Sequence, residues 1–200
     1  MHIELFLEEP SAEAFLQRFL HKLLPAGTTW NPIVFQGKSD LLRNLERRLK
    51  GYRNWMPKDW KIVVLIDEDR ADCIRLKEQM ENAATAAGFI TKTKSNGGYF
   101  MVLNRIAVEE LEAWFFGDAA ALATAFPGVS ENLGAKTAYK NPDAIGGGTW
   151  ESLERILRRA GHCSGGFSKI EVAREMARHM DAARNTSDSF RCFAEGLAAL

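Results

Sequence analysis

One short run constrains this chain more than any other feature. Lys61 is followed by Ile62-Val63-Val64-Leu65-Ile66, five apolar residues with no polar interruption. A strand with one wet face alternates apolar and polar residues, whereas a strand buried on both faces does not. The stretch 61–66 therefore predicts a central strand of a parallel sheet with helices on both sides. The flanking pattern agrees. A short strand at 3–7 precedes a helix behind Ser11, with Phe15, Leu16, Phe19, Leu20 and Leu23 on one face and Pro25 and Gly27 as its stop. A strand at 33–35 and a helix at 39–50, carrying Leu41, Leu42, Leu45 and Leu49, come next. After the central strand the periodicity predicts a helix over 72–87, stopped by Gly88. Two strands at 89–94 and 99–103 then read as a hairpin turning at Asn96-Gly97-Gly98.

Beyond Ile106 the texture becomes helical. Helices are expected at 108–116 and 119–126, then a Gly/Asn/Lys-rich loop over 128–148. Further helices follow at 151–160 behind Thr149, at 169–180 behind the Ser168/Glu171 capping box, and at 190–200 behind Ser187-Asp188. The expected fold class is thus α/β: a mostly parallel sheet flanked by helices over 1–106, with a helical C-terminal half over 107–200 packed on it as one compact unit.

Composition narrows the function. Lys plus Arg and Asp plus Glu are both 26, so the net charge is +0 and binding to nucleic acid or anionic lipid must come from a local patch. Cys73, Cys163 and Cys192 are odd in number and lack a Cys-x-x-Cys pair, which favours a reducing cytoplasm over a disulfide framework or zinc knuckle. No basic segment precedes an apolar run at the start, and the greasy stretch 113–126 is broken by Asp118, so neither a signal peptide nor a membrane span is expected. His2, His21, His162 and His179 show no zinc-hydrolase spacing. The segment from Gly161 to Lys169 is not a phosphate loop, because Lys does not follow its last Gly and no strand precedes it. Trp114, Phe115 and Phe116 suit a core or an interface.

Two acidic clusters carry the chemistry. Glu8-Glu9 follows the first strand and Asp67-Glu68-Asp69 follows the central one. In a parallel α/β sheet the carboxyl ends of all strands lie on one rim, where ligands bind. Clustered carboxylates repel, so one keeps its proton or a cation neutralises them; oxygen-only ligands favour Mg²⁺ or Mn²⁺. Asp67 and Asp69 would face the same way if the strand continued through them. Glu109, Glu110 and Glu112 form a third group, Asp118 follows, and Lys169 offers a cation for phosphate. Asp69, Asp72 or Glu9 can equally serve helix starts, and acids in the first turn at Glu109 and Glu110 need no further reason. Two clusters at matching strand ends tip the balance to a metal site. A basic helix bearing Arg43, Arg47, Arg48 and Lys50, with Tyr52, Trp55 and Trp60 behind it, suits either a nucleic-acid backbone or a solvated face, as does the run Arg155, Arg158 and Arg159.

These residues resemble a known group. Glu8 after the first strand, Glu13 in the next helix and Asp67-x-Asp69 are similar to the Toprim pattern, in which such acids bind Mg²⁺. Segments 7–13, 66–73, 105–114 and 141–143, with Ser168-Lys169 and Ser187-x-Ser189-Phe190, resemble in order a bacterial domain-of-unknown-function family with a Toprim-like fold. Glu9 stands where that family usually carries Gly. The resemblance implies genes beside an ABC/AAA-type ATPase, a role in anti-phage defence, and metal-dependent nuclease activity by analogy of fold.

Three functions follow as expectations. The first is a Mg²⁺- or Mn²⁺-dependent nuclease with Glu8, Asp67, Asp69 and Lys169 catalytic, and Glu8, Asp67, Asp69 and Glu112 as metal ligands. The second is a non-catalytic partner or regulatory subunit of an ATPase. The third, a phosphotransferase with Asp67 as nucleophile, is disfavoured by Ala71 and by the mid-chain position of the motif.

Overall fold

In the computed structural model, which describes residues 1–162 and 168–200, the apolar run lies within β3 (Trp60–Asp67). It pairs in parallel with β1 (His2–Leu7) on one side and β4 (Val102–Ala107) on the other. Strand β2 (Thr29–Val34) lies outside β1, so the all-parallel sheet runs β2-β1-β3-β4. Residues 62–66 are all buried because helices cover both faces.

The direction of the chain reverses after β2, and this sorts the helices. Helix α1 (Pro10–Phe19) covers one face; α2 (Lys38–Arg53) and α3 (Cys73–Ala86) cover the other, as right-handed crossovers require. Phe6, Ile62, Val64 and Ile66 pack under Leu41, Leu45 and Leu49 of α2 and Leu76 and Met80 of α3. Ile3, Leu5, Leu7, Val63 and Leu65 face α1 and the second half of the chain. That half comprises α4 (Glu112–Phe116), α5 (Ala119–Ala125), α6 (Thr149–Arg159), α7 (Lys169–His179) and α8 (Asp188–Ala198), and its Trp114, Phe115, Met176, Phe190 and Phe193 share one continuous core with the sheet.

Edge strand β2 carries Pro32. The Thr29 and Phe35 amides donate to the Met1 and Leu7 carbonyls, so odd positions bond inward. Pro32 falls on the outward row, where a missing N–H costs the sheet nothing.

Several local expectations are corrected. The hairpin across Asn96-Gly97-Gly98 does not form: 92–97 is a series of turns, and Thr91 bridges Val102 in parallel. Only β4 forms, because β3 offers its edge in parallel register while the polar stretch 92–98 has no face to bury. Ser11 does not cap α1; the helix begins at Pro10, and the Ser11 hydroxyl donates to the Glu9 carboxylate. Thr149 lies inside α6 rather than capping it, its hydroxyl donating to Glu110. The helix expected from 108 begins only at Glu112, because Glu109 takes φ +62. Ser168 and Ser187 do cap α7 and α8, accepting from the Glu171 and Phe190 amides. Cys163 and most of the segment between Gly161 and Lys169 lie outside the described residues. Among the described residues no helix is long and apolar enough to cross a membrane.

Candidate functional site

The chain's change of direction places β1 beside β3, and the crevice between their carboxyl ends is where such sheets bind ligands. Leu7 pairs with Leu65, which brings Glu8 and Glu9 alongside Asp67. A Glu8 Oε2 accepts the Asp67 backbone N–H at 3.0 Å, tying the two strand tips together. Asp67 shares the face of Val63 and Leu65, and it is buried. Burial pushes its carboxyl well above the usual range, and Glu9, Glu112 and Glu8 push it further. Burial also raises Glu8, against the opposing help of the Asp67 N–H and Lys38.

The second half of the chain supplies the far wall. Glu112, the first residue of α4, is 0% exposed, and neither of its carboxylate oxygens has a hydrogen-bond partner. Burial raises its pKa to about 8, with Lys169 opposing and Glu9 and Glu110 adding to the shift. Lys169, the first residue of α7, holds its Nζ 3.8 Å from Glu112 Oε2 and 3.7 Å from Glu110 Oε1, beyond hydrogen-bond length. Its ammonium also sits 5.0 Å from the centroid of the Trp150 ring. Burial alone would lower the Lys169 pKa, but Glu112, Glu9, Glu110 and Asp67 outweigh it and raise it. Four carboxylates, Glu9, Asp67, Glu110 and Glu112, thus share the Lys169 ammonium, while the cation nearest Glu8 is Lys38. Leaving the buried Asp67 and Glu112 both ionised there is unfavourable without protons or a further cation.

The three acids after β3 part company. Asp67 points inward. Glu68 accepts the Glu109 N–H at 3.1 Å. Asp69 does not stay in register with Asp67, because the strand ends at Asp67 and Asp69 turns through φ +52. Its half-exposed carboxylate reaches Lys38 at the start of α2, with Nζ to Oδ2 at 2.5 Å. Lys38, the first residue of α2, is therefore the rim's second cation. Only a contact across 31 residues reveals this, and local pattern carries no signal of it.

The other candidates have structural employment. Glu110 Oε2 accepts from the Thr149 hydroxyl and the Trp150 N–H, holding the start of α6. Asp72 caps α3 through the Ile74 and Arg75 amides. Asp118 is far from the strand tips in its bonding: it caps α5 and pairs with Arg184 at 3.0 Å. Arg43, Arg47, Arg48 and Lys50 lie exposed on the outer side of α2, where Lys50 pairs with Glu46, Arg47 with Asn44, and Arg48 lies over Phe35. They do not join the carboxylates.

Beside the crevice, a cavity of about 340 Å³ opens between Asp69, Arg70, Glu109 and the Gly146-Gly147-Gly148 turn. Among the described residues no three His, Cys, Asp or Glu side chains are already arranged to hold a metal ion. The donor set nonetheless suits a hard divalent cation, because it is all oxygen and includes one buried carboxylate with both oxygens unclaimed.

The family model for a domain of unknown function, DUF4276, matches residues 7–198, and the chain belongs to that family. No curated protein and no solved structure matches it significantly.

Proposed function

We propose that this DUF4276 protein is a Toprim-type nuclease that hydrolyses phosphodiesters with Mg²⁺ or Mn²⁺. The observation that carries the reading is Glu112, whose buried carboxylate has no hydrogen-bond donor and shares the crevice with Asp67 and Glu9, with Glu8 tied to Asp67. A buried carboxylate with no hydrogen bond and only a loose ion pair, to Lys169 at 3.8 Å, is a net cost in a purely structural role, so its place at the rim calls for a partner. Glu8, Asp67 and Glu112 would hold the ion. When bound, the ion supplies Lewis acidity toward a phosphate oxygen.

The chain's own groups do the rest. Lys169 Nζ, loosely held by its two glutamates, is free to bind a non-bridging phosphate oxygen and fix the scissile group. The Asp67 N–H steadies Glu8 Oε2, so the β1 tip is presented in one orientation. Asp69 enters this scheme only when its pair with Lys38 opens. In keeping with the family resemblance, the protein would work in the cytoplasm in anti-phage defence, beside an ABC/AAA-type ATPase.

The test is calorimetry with Mn²⁺ together with cleavage of labelled DNA and RNA. Wild type is expected to bind Mn²⁺ and to cut. Asp67→Asn and Glu112→Gln are expected to lose on the order of 100-fold or more in cleavage, beyond the usual cost of disturbing a metal's outer contacts. Absence of Mn²⁺ binding by the folded wild type, or undiminished cleavage by Asp67→Asn, overturns it.

A further inference from the structure

The opposite pole of the sheet, at the amino ends of the strands, has the reverse character. A second cavity, of about 330 Å³, lies there between the end of α2 and the segment leading into β4. Its volume is within the range of small-molecule sites. Met56, Ile90 and Met101 give it apolar walls, Tyr99 adds an aromatic ring, and Arg53 and Lys58 are its charged members; no carboxylate lines it.

The cavity is built rather than incidental. The Tyr99 hydroxyl donates to the Lys58 carbonyl at 2.6 Å, strapping the two walls together. Gly88, at φ +82, lets Arg53 lie close against the wall, and the guanidinium rests 5.9 Å from the Phe89 ring centroid. Neither Arg53 nor Lys58 has an ion-pair partner among the described residues. Arg53 also answers the negative end of α2, but Lys58 lies beyond the helix. Behind the strap, Lys61 and Lys92 both stand over the Phe100 ring, adding positive field. Beside Met56, Trp55 is 58% exposed and Tyr99 is 56% exposed. Trp55 continues into a row of rings through Trp60 to His2, at centroid spacings of 5.7 and 4.1 Å.

Exposed aromatic faces next to unpaired cations are how proteins hold a base and its phosphate together. We infer that this cavity binds a planar aromatic anion, specifically a nucleotide unit, with the base against Tyr99 and the apolar wall and the phosphate at Arg53 and Lys58. The choice of a nucleotide among aromatic anions rests on the phosphodiesterase reading; the cavity and its charge do not.

The experiment uses the full chain without divalent ions. Adenosine 5′-monophosphate is titrated by calorimetry, and a fluorescein-labelled oligothymidylate of about twelve nucleotides by anisotropy, at about 50 and 200 mM salt. Binding that weakens with salt, and falls about tenfold or more in Arg53→Ala, Lys58→Glu and Tyr99→Ala, supports the site. Binding of the free nucleotide identifies a mononucleotide ligand; binding of the oligonucleotide alone identifies a strand. Tyr99→Phe keeps the ring but cuts the strap to the Lys58 carbonyl, and is expected to bind more weakly than the parent and more tightly than Tyr99→Ala. Lys58 is exposed, so Lys58→Glu serves even if the other variants fail to fold. Asp67→Asn is expected to retain this binding while losing cleavage, which separates failure here from failure at the carboxylates. No binding of either probe, binding indifferent to Lys58→Glu, or binding abolished by Asp67→Asn overturns the inference.

Discussion

Glu81 and Glu112 are both buried glutamates on helices packed against the same sheet, yet they live under opposite conditions. Glu81, on α3, accepts from Thr91, from Thr93 at 3.2 Å and from Asn104 at 3.0 Å, and pairs with Lys77 at 3.1 Å. Burial alone would raise its pKa, but Thr91, Asn104 and Lys77 together bring it below the ordinary value. Glu112 has no donor, and burial carries it to about 8. Glu81 is surrounded by donors; Glu112, the proposed metal ligand, is not. Exposure alone does not distinguish the two residues; their hydrogen-bond partners do.

The pH dependence of stability tests the contrast most strongly. A carboxyl raised in the folded state gives stability that is fully present below its unfolded pKa and is lost as pH rises through its folded one. For Glu112 that window runs from 4.5 to about 8, and the loss is at most on the order of 5 kcal/mol. Glu81 has the opposite sign: its contribution is present at neutral pH and is lost only as pH falls through its depressed pKa. Denaturant melts between pH 5 and 8.5 should show wild type weakening with rising pH and Glu112→Gln weakening clearly less, the remaining slope coming from Asp67 and Glu8, whose carboxyls are also raised. A flat wild-type profile would erase the distinction.

Next in size is Glu81→Ala, expected to cost about 3–5 kcal/mol in urea melts, because buried Thr91 and Asn104 lose their acceptor and half-buried Lys77 its counter-charge. Glu112→Ala should cost clearly less at pH 8; equal losses would make the two glutamates alike. Mn²⁺ at a hundredfold excess over its Kd should then stabilise wild type by about 3 kcal/mol, and Glu112→Gln by much less, read as a shift in Tm at pH 8. The smallest effect is Thr91→Val, which removes one donor to the Glu81 carboxylate and should cost about 2 kcal/mol.

Much of this was legible in the residues because the evidence is local. The β-branched run 62–66, the apolar faces of α1 and α2, and the acids at two strand tips all follow from periodicity and from the shared rim of a parallel sheet. Ser168 and Ser187 announce their helices in the same way. What was not legible depends on partners distant in sequence. Asn96-Gly97 looks like a hairpin turn until β3 competes for the strand that follows. The spacing of Asp67 and Asp69 hides a left-handed residue that sends one inward and the other to Lys38. Nothing near Glu112 tells that it lacks a donor, and nothing near Glu81 tells that Asn104, 23 residues on, supplies one. Glu110 looks like a first-turn acid of its own helix but holds the start of another, 39 residues later.

Pro32 bears on how the protein meets other molecules. A peptide arriving along the outer margin of β2 would find a gap midway in the row of amides it needs, so its backbone could not zip on continuously. Growth by adding further strands is blocked on that flank. A partner that meets this flank is therefore recognised through side chains rather than by a continuous backbone ladder.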